Sequence, residues 1–198
     1  MFTFGPQVIL PPLTCILTSL YCIHIKNEHI NVYYMSSSLQ NLVLQVSVHM
    51  IVGVHGSDSD FLVSDFLGLF LVPIVTSVIF YCVHRLFHTK FLWPYHALHH
   101  DSSNVTGYMA RTCHPMEHIV ANLLPVYLSG LICRLSVPAT TLWYCLAEFN
   151  SVTSHDDIAS FHYQHHLRPN TNYGLSYLYP FMDVWFKTTK CWFVTTKC

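Results

Sequence analysis

Apolar blocks alternate with polar, histidine-bearing stretches along this chain, and the alternation predicts its elements. Residues 6–23 (GPQVILPPLTCILTSLYC) are apolar and just long enough to cross a bilayer, with Pro11-Pro12 set to kink the helix. No charged region precedes them, so a cleaved signal peptide is not expected. After a polar connection over 24–38, residues 39–55 form a second, weaker apolar segment that carries His49 and His55. His-Gly-Ser-Asp-Ser-Asp at 55–60 is rich in helix breakers and N-caps and predicts a turn. Residues 61–83 are the strongest span, with Asp65 near the start and Pro73 in the middle. The chain then turns polar and aromatic over 84–118 and apolar again over 119–149. That last block predicts a hairpin of two short helices around Arg134 and Pro138. Residues 150–198 return to polar and aromatic composition.

Composition moves this pattern from a soluble core to a bilayer. Of 198 residues, 52% are hydrophobic and 10% are charged, whereas an ordinary soluble domain carries about 25% charge. A formal net charge of −1 gives no electrostatic case for nucleic acid. The position of the cations is more telling, because Lys and Arg accumulate on the cytoplasmic side. If the three upstream segments all span, Lys26, Arg85, Lys90, Arg111, Arg168, Lys187, Lys190 and Lys197 fall on one side and Arg134 alone on the other. The eight cysteines show no CxxC spacing and are expected to be free thiols.

Three histidine clusters carry the chemistry: His84-Arg-Leu-Phe-His88, His96-Ala-Leu-His99-His100 and His162-Tyr-Gln-His165-His166. On a helix, positions i, i+3 and i+4 share a face, so each cluster aims its imidazoles one way. Eight such imidazoles are too many for one ion and suit two. Each cluster lies in a polar region that follows an apolar block, so all three share one membrane face if 119–149 enters and returns as a hairpin. Thiolates and carboxylates are nearly absent from the clusters, which disfavours a structural zinc site and differs from the carboxylate-rich sites of soluble di-iron bundles. Neutral ligands leave bound ions most of their charge, which suits oxidative chemistry with O2.

Further elements surround the clusters. His114-Pro-Met-Glu117 follows the second, Ser154-His155 precedes the third, and Asn172-Tyr-Gly174 comes after it, with Asp183 and Phe186-Lys-Thr188 near the end. Together, over roughly residues 77–189, these resemble the fatty acid hydroxylase/sterol desaturase superfamily of integral-membrane di-iron oxygenases. The resemblance implies an all-α, integral-membrane helical bundle with a cytosolic, histidine-rich helical cap holding a dinuclear metal site. It divides the chain into membrane-spanning segments (1–76), a catalytic region (77–189) and a C-terminal tail (190–198). It implies His84, His88, His96, His99, His100, His162, His165 and His166 as metal ligands, with His155 as an additional one. His114 would be structural or orienting, hydrogen-bonded to Glu117, while Asn172, Asp156, Asp157 and Asp183 would support the site or be structural.

The implied cofactors are two iron ions, with zinc as the alternative occupant of a purified protein, and O2 as co-substrate. The implied reaction is hydroxylation, desaturation or oxidative demethylation of a sterol or fatty acyl lipid taken from the bilayer, with sterol biosynthesis among the settings. Electrons would come from NAD(P)H through a partner such as cytochrome b5 or a reductase, at the endoplasmic reticulum if the source is eukaryotic. Four departures from the family pattern stand out. Ser77 replaces an acid before the first cluster, Tyr163-Gln164 replaces the acid-bearing pair of the third, Lys187 replaces the glycine of the closing element, and the stretch from His155 to the third cluster is short. The competing reading is a non-catalytic metal-binding membrane protein, either a transporter or a degenerate family member. A transporter would place its ligands within the spans rather than beside them.

Overall fold

Every regular element among the described residues is helical. The structure is a computed structural model that describes residue 37 and residues 39–48, 61–101, 105–156, 158, 160–175 and 180–190. Its helices are α1 (Leu39–Val48), α2 (Val63–Phe87), α3 (Trp93–His96), α4 (Pro115–Glu117), α5 (Leu124–Ile132), α6 (Val137–Asp156), α7 (Phe161–Leu167) and α8 (Phe181–Trp185). A 3-10 turn covers Gly107–Arg111, and a π-helical segment, His118–Leu123, joins α4 to α5.

Asp65 fixes the arrangement of the longest elements. Its carboxylate accepts the backbone N–H of Leu62 at 2.6 Å, which starts α2. It also accepts the N–H and the hydroxyl of Ser136, at 2.9 and 2.6 Å. A fully buried carboxylate is tolerated because three donors surround it. Ser136 lies in the turn between α5 and α6, so that turn is fastened to the start of α2. Arg134 closes α5 in the left-handed region (φ 54°), with Leu135 N–H on the Gly130 carbonyl and Arg134 N–H on that of Leu131. Those two bonds are a Schellman end. Gly68 permits the close approach, since a Cβ there would lie 2.5 Å from Leu135 Cδ2 and 3.1 Å from the Cys133 carbonyl.

With its closed end at the start of α2, the hairpin opens toward the other end of α2. Val72, Leu123, Val126, Trp143, Tyr144 and Ala147 pack between the three helices. The end of α2, the start of the π segment and the end of α6 therefore gather in one place, and the histidines sit there. The predicted hairpin is present, with one correction. Its second arm is not short: α6 runs for 20 residues and carries His155 in its last turn.

The outer faces are apolar. Phe66, Phe70 and Leu131 are 70%, 72% and 75% exposed, alongside exposed Leu142, Leu146 and Phe149. Helix α1 is inverted relative to a soluble helix: Asn41 and Gln45 are buried while Leu39 and Val43 face outward. Asn41 Nδ2 donates to the carbonyls of Arg111 and Cys113, at 2.8 and 2.9 Å. Among the described residues, α2 is the one helix long and apolar enough to cross a membrane, and 33% of its apolar window is buried. The expected segment 6–23 lies outside the described residues, and of 39–55 only α1 is described. Arg111, counted above as a cation of the polar face, is instead buried in an ion pair with Glu148. Cys82, Cys113, Cys133 and Cys145 are free thiols, as expected, and the other four cysteines lie outside the described residues.

Lys187 explains one departure from the family pattern. Helix α8 ends as α5 does, with Thr188 N–H on the Asp183 carbonyl and Lys187 N–H on that of Val184. Lys187 sits between them at φ 56°. The left-handed position is the one glycine fills without strain. Lys187→Gly is therefore expected to stabilise the fold by about 1 kcal/mol, raising the thermal midpoint by roughly 2–4 °C. A lower midpoint would mean that the lysine side chain contributes more than its backbone costs.

Candidate metal centre

Each histidine cluster is placed by a different local device. His84 and His88 occupy successive turns at the end of α2, with His88 as its C-cap. The second cluster is not the regular helix that spacing predicts. Helix α3 ends at His96, and tight turns follow, with His99 N–H on the His96 carbonyl and His100 N–H on that of Ala97. The third cluster lies on α7, whose start is capped by Ser160 Oγ accepting Tyr163 N–H at 3.0 Å.

All nine histidines named from the sequence come together, in two groups. His84, His88, His96, His100 and His165 form one, and His99, His155, His162 and His166 form the other. The second and third clusters cross between them. Each sends its i and i+4 histidines to one group and its i+3 histidine to the other, so His99 and His165 trade places. The groups adjoin, with the rings of His100 and His166 4.5 Å apart. His155 completes the second group, its Nε2 lying 3.2 Å from His99 Nε2 and 3.1 Å from His162 Nε2.

The protein selects which nitrogen of several rings faces inward. Nδ1 of His84 donates to the Tyr173 carbonyl at 2.7 Å, His99 to Thr112 at 3.3 Å, His155 to Ser151 at 2.7 Å and His165 to Thr171 at 2.6 Å. His96 Nδ1 donates to the Glu117 carboxylate at 2.8 Å. A proton held on Nδ1 leaves Nε2 bare, which is the tautomer a metal requires. Yet Nε2 of His96 lies 3.2 Å from that of His84, 2.9 Å from that of His88 and 3.1 Å from that of His100. His84 and His96 thus face each other lone pair to lone pair, an arrangement that a shared cation makes favourable. Nitrogens bound at about 2.1 Å and 90–110° to one ion would be about 3.0–3.4 Å apart, matching these separations. Buried His165 Nε2 and His166 Nε2 have no protein partner. The residues present therefore fit two metal ions.

Electrostatics agree with that fit. Burial, reinforced by neighbouring imidazoles, lowers His88 to about 3 and His155 to about 3. Burial likewise lowers His99 to about 4 against the opposing pull of backbone carbonyls. His96, His100, His162, His165 and His166 are pushed down by burial and then by each other. At neutral pH these rings are uncharged and able to donate a lone pair. Burial also drives the Glu117 carboxyl well above its ordinary range.

The carbonyls that orient the first group depend on a second network. Asp183 is buried and accepts Tyr173 N–H at 2.7 Å, Gly174 N–H at 2.8 Å and the Thr188 hydroxyl at 2.8 Å. Asn172, at φ 55°, exchanges two bonds with the backbone of Lys190, at 3.0 and 2.9 Å. Segment 171–174 is thereby held where its carbonyls meet His84 and His165. Gly174 has no room for a side chain, as a Cβ would lie 2.7 Å from Asp183 Oδ2.

One other expectation changes. His114 does not meet Glu117; it is exposed, and its Nδ1 caps α4 by accepting Met116 N–H at 3.1 Å. Glu117 meets His96 instead. Asp156 accepts Gly107 N–H at 3.4 Å, a structural contact, and Asp157 lies outside the described residues. The orienting carbonyls of Thr112, Ser151, Thr171 and Tyr173 had no signal in the sequence, because every residue type offers one. Glu117→Leu is expected to weaken metal retention by about 10–100-fold, measured by chelator competition. Glu117→Gln, which keeps an acceptor oxygen for His96, should lose less, and equal losses would mean that the acceptor is immaterial.

Helices thus bring nine imidazoles into two adjoining groups, each of which could hold a metal ion. The fatty acid hydroxylase family model matches residues 69–188, and the chain belongs to that family, within the fatty acid hydroxylase/sterol desaturase superfamily. Human fatty acid hydroxylase domain-containing protein 2 is 33% identical over 136 residues, covering 63% of this chain and 40% of that protein. Fatty acid hydroxylase ahd1 of Mycosarcoma maydis is 31% identical over 119 residues, covering 56% of this chain and 30% of that protein. The chain thus spans less than half the length of these relatives. No solved structure matches it.

Proposed function

We propose that the protein is an integral-membrane, O2-dependent lipid oxidoreductase whose histidine groups hold two iron ions at the cytosolic face of the bilayer. One observation carries this reading: two adjoining, carboxylate-free imidazole groups, with Nε2 atoms 2.9–3.3 Å apart in the first, in a chain of the fatty acid hydroxylase family. His84, His88, His96, His100 and His165 would hold one ion, and His99, His155, His162 and His166 the other. When bound, the pair supplies reduction of O2 and removal of hydrogen from an unactivated C–H bond. For hydroxylation the balance is R–H + O2 + 2 e− + 2 H+ giving R–OH + H2O, the electrons coming from NAD(P)H through a cytochrome b5 or reductase partner.

The chain's own residues prepare the place. Glu117 and the four carbonyls hold the imidazole protons on Nδ1. Phe80, Ala121 and Leu175 line a cavity beside His84, His99 and His162, and such apolar walls limit water where a lipid C–H must lie. The apolar outer faces of α2, α5 and α6 suit a bilayer from which the lipid enters. In a eukaryotic cell that bilayer is the endoplasmic reticulum membrane.

The test is a comparison of the lipids of cells expressing the wild type and His99→Ala, with iron measured in both purified proteins. An oxidised lipid that is present with the wild type and absent with the variant supports the proposal. Iron-loaded wild type that leaves the lipids unchanged when supplied with reductase would favour the non-catalytic metal-binding reading.

A further inference from the structure

A second buried polar cluster lies beside the histidine groups and takes no part in holding them. His118, one residue beyond Glu117, is 2% exposed, and its Nε2 has no hydrogen-bond partner. It opens the π-helical segment His118–Leu123, and such irregular turns are frequent at functional sites. Its other nitrogen settles its tautomer. The Cys113 thiol donates to the Arg111 carbonyl, so its sulfur is free to accept Asn122 Nδ2 at 3.7 Å. The amide nitrogen of Asn122 therefore faces inward and donates to His118 Nδ1 at 3.3 Å. A neutral His118 then carries its proton on Nε2, as a buried donor without an acceptor.

The surroundings say what kind of acceptor fits. His118, Asn122, Arg111 and Glu148 line a small cavity of about 30 Å³, whose apolar wall includes Val126 and Tyr144; that is room for one hydroxyl-sized group. Phe80, Ala110, Asn122, Ser151 and Leu175 are shared with the smaller cavity that touches His84, His96, His99, His155 and His162. The two spaces thus adjoin. Arg111 is paired with Glu148, so the wall presents no net charge. A carboxylate entering here would meet the Glu148 carboxylate and a guanidinium already engaged. An uncharged oxygen would accept the waiting N–H of His118 without bringing a second negative charge beside Glu148.

We propose that this cluster is a lipid-headgroup subsite, in which His118 Nε2–H binds an uncharged hydroxyl or carbonyl oxygen and so sets which carbon reaches the histidine groups. The subsite rests on the function proposed above and narrows its substrate class to neutral oxygen-bearing lipids. The oxidised carbon then lies near the lipid's polar end, because His118 directly follows the residue that orients His96.

The experiment uses the iron-loaded full chain in detergent with isotope-labelled 1-hexadecanol, hexadecane and palmitate, the retained probe being measured by mass spectrometry. The wild type should retain the alcohol about tenfold better than either of the others, the worth of one buried hydrogen bond. His118→Leu should erase that preference, and His118→Gln, which keeps an N–H donor, should restore part of it. Equal retention of all three probes by the wild type, preference for palmitate, or an unchanged preference in His118→Leu would each overturn the subsite. Equal retention by the wild type would leave an ordered water as the cluster's only occupant. The wild-type comparison decides even if a variant fails to fold. Iron measured in the same samples separates the two claims: full iron without alcohol preference overturns the subsite alone, whereas absent iron overturns the function.

Discussion

Replacing either His99 or His165 by alanine is expected to abolish product formation while the chain still inserts in the membrane. The loss should exceed the ~10–100-fold typical of removing a group that only orients a ligand, since each variant removes an imidazole that faces the proposed ions. The two variants should also differ from each other. His165 serves the group of His84, His88, His96 and His100, whereas His99 serves that of His155, His162 and His166. Each should therefore lose one ion per chain and keep the other. His114→Ala is the control: that ring is exposed and caps a short helix, so activity should persist. Near-normal product from either cluster variant would show that the two groups do not act as one site.

Asp183→Ala should have the second-largest effect, and on a different property. The substitution leaves Tyr173 N–H and Gly174 N–H without their acceptor in a buried place, while the Thr188 hydroxyl keeps the Tyr81 hydroxyl and the main-chain carbonyl of residue 183 as partners. Buried donors stranded in this way cost about 1–3 kcal/mol each, so a total of about 2 kcal/mol or more is expected, read as a fall in the thermal midpoint. The released segment carries the carbonyls that orient His84 and His165. Both rings belong to the first group, so that group should lose its ion first. The second group takes its orienting carbonyls from Thr112 and Ser151 and should keep its ion. Equal loss from both groups would mean that Asp183 serves only the overall fold.

The histidines were legible because ligand chemistry needs particular side chains at particular spacings, and HxxxH and HxxHH display both. The hairpin was legible from an apolar block interrupted at Arg134 and Pro138, and the end of the strongest span placed His84 and His88. The division into two groups was hidden. It depends on how the elements meet: even on the regular helix α7, His165 joins a different group from His162 and His166, although spacing alone puts all three on one face. The orienting carbonyls were hidden for a different reason, as a backbone acceptor has no residue signature. Arg111 looked like a surface cation because its partner, Glu148, is distant in sequence and meets it only after folding. Lys187 stood out as a departure at a family glycine, and its φ of 56° shows a helix-end conformation held at some cost.

The most direct test of the account is the iron content of the purified chain, loaded anaerobically with ferrous ion and freed of loosely held metal. Two iron ions per chain in the wild type, falling to one in His99→Ala and to one in His165→Ala, is the predicted result. A wild-type chain that holds no iron, or a content that neither substitution changes, would contradict it.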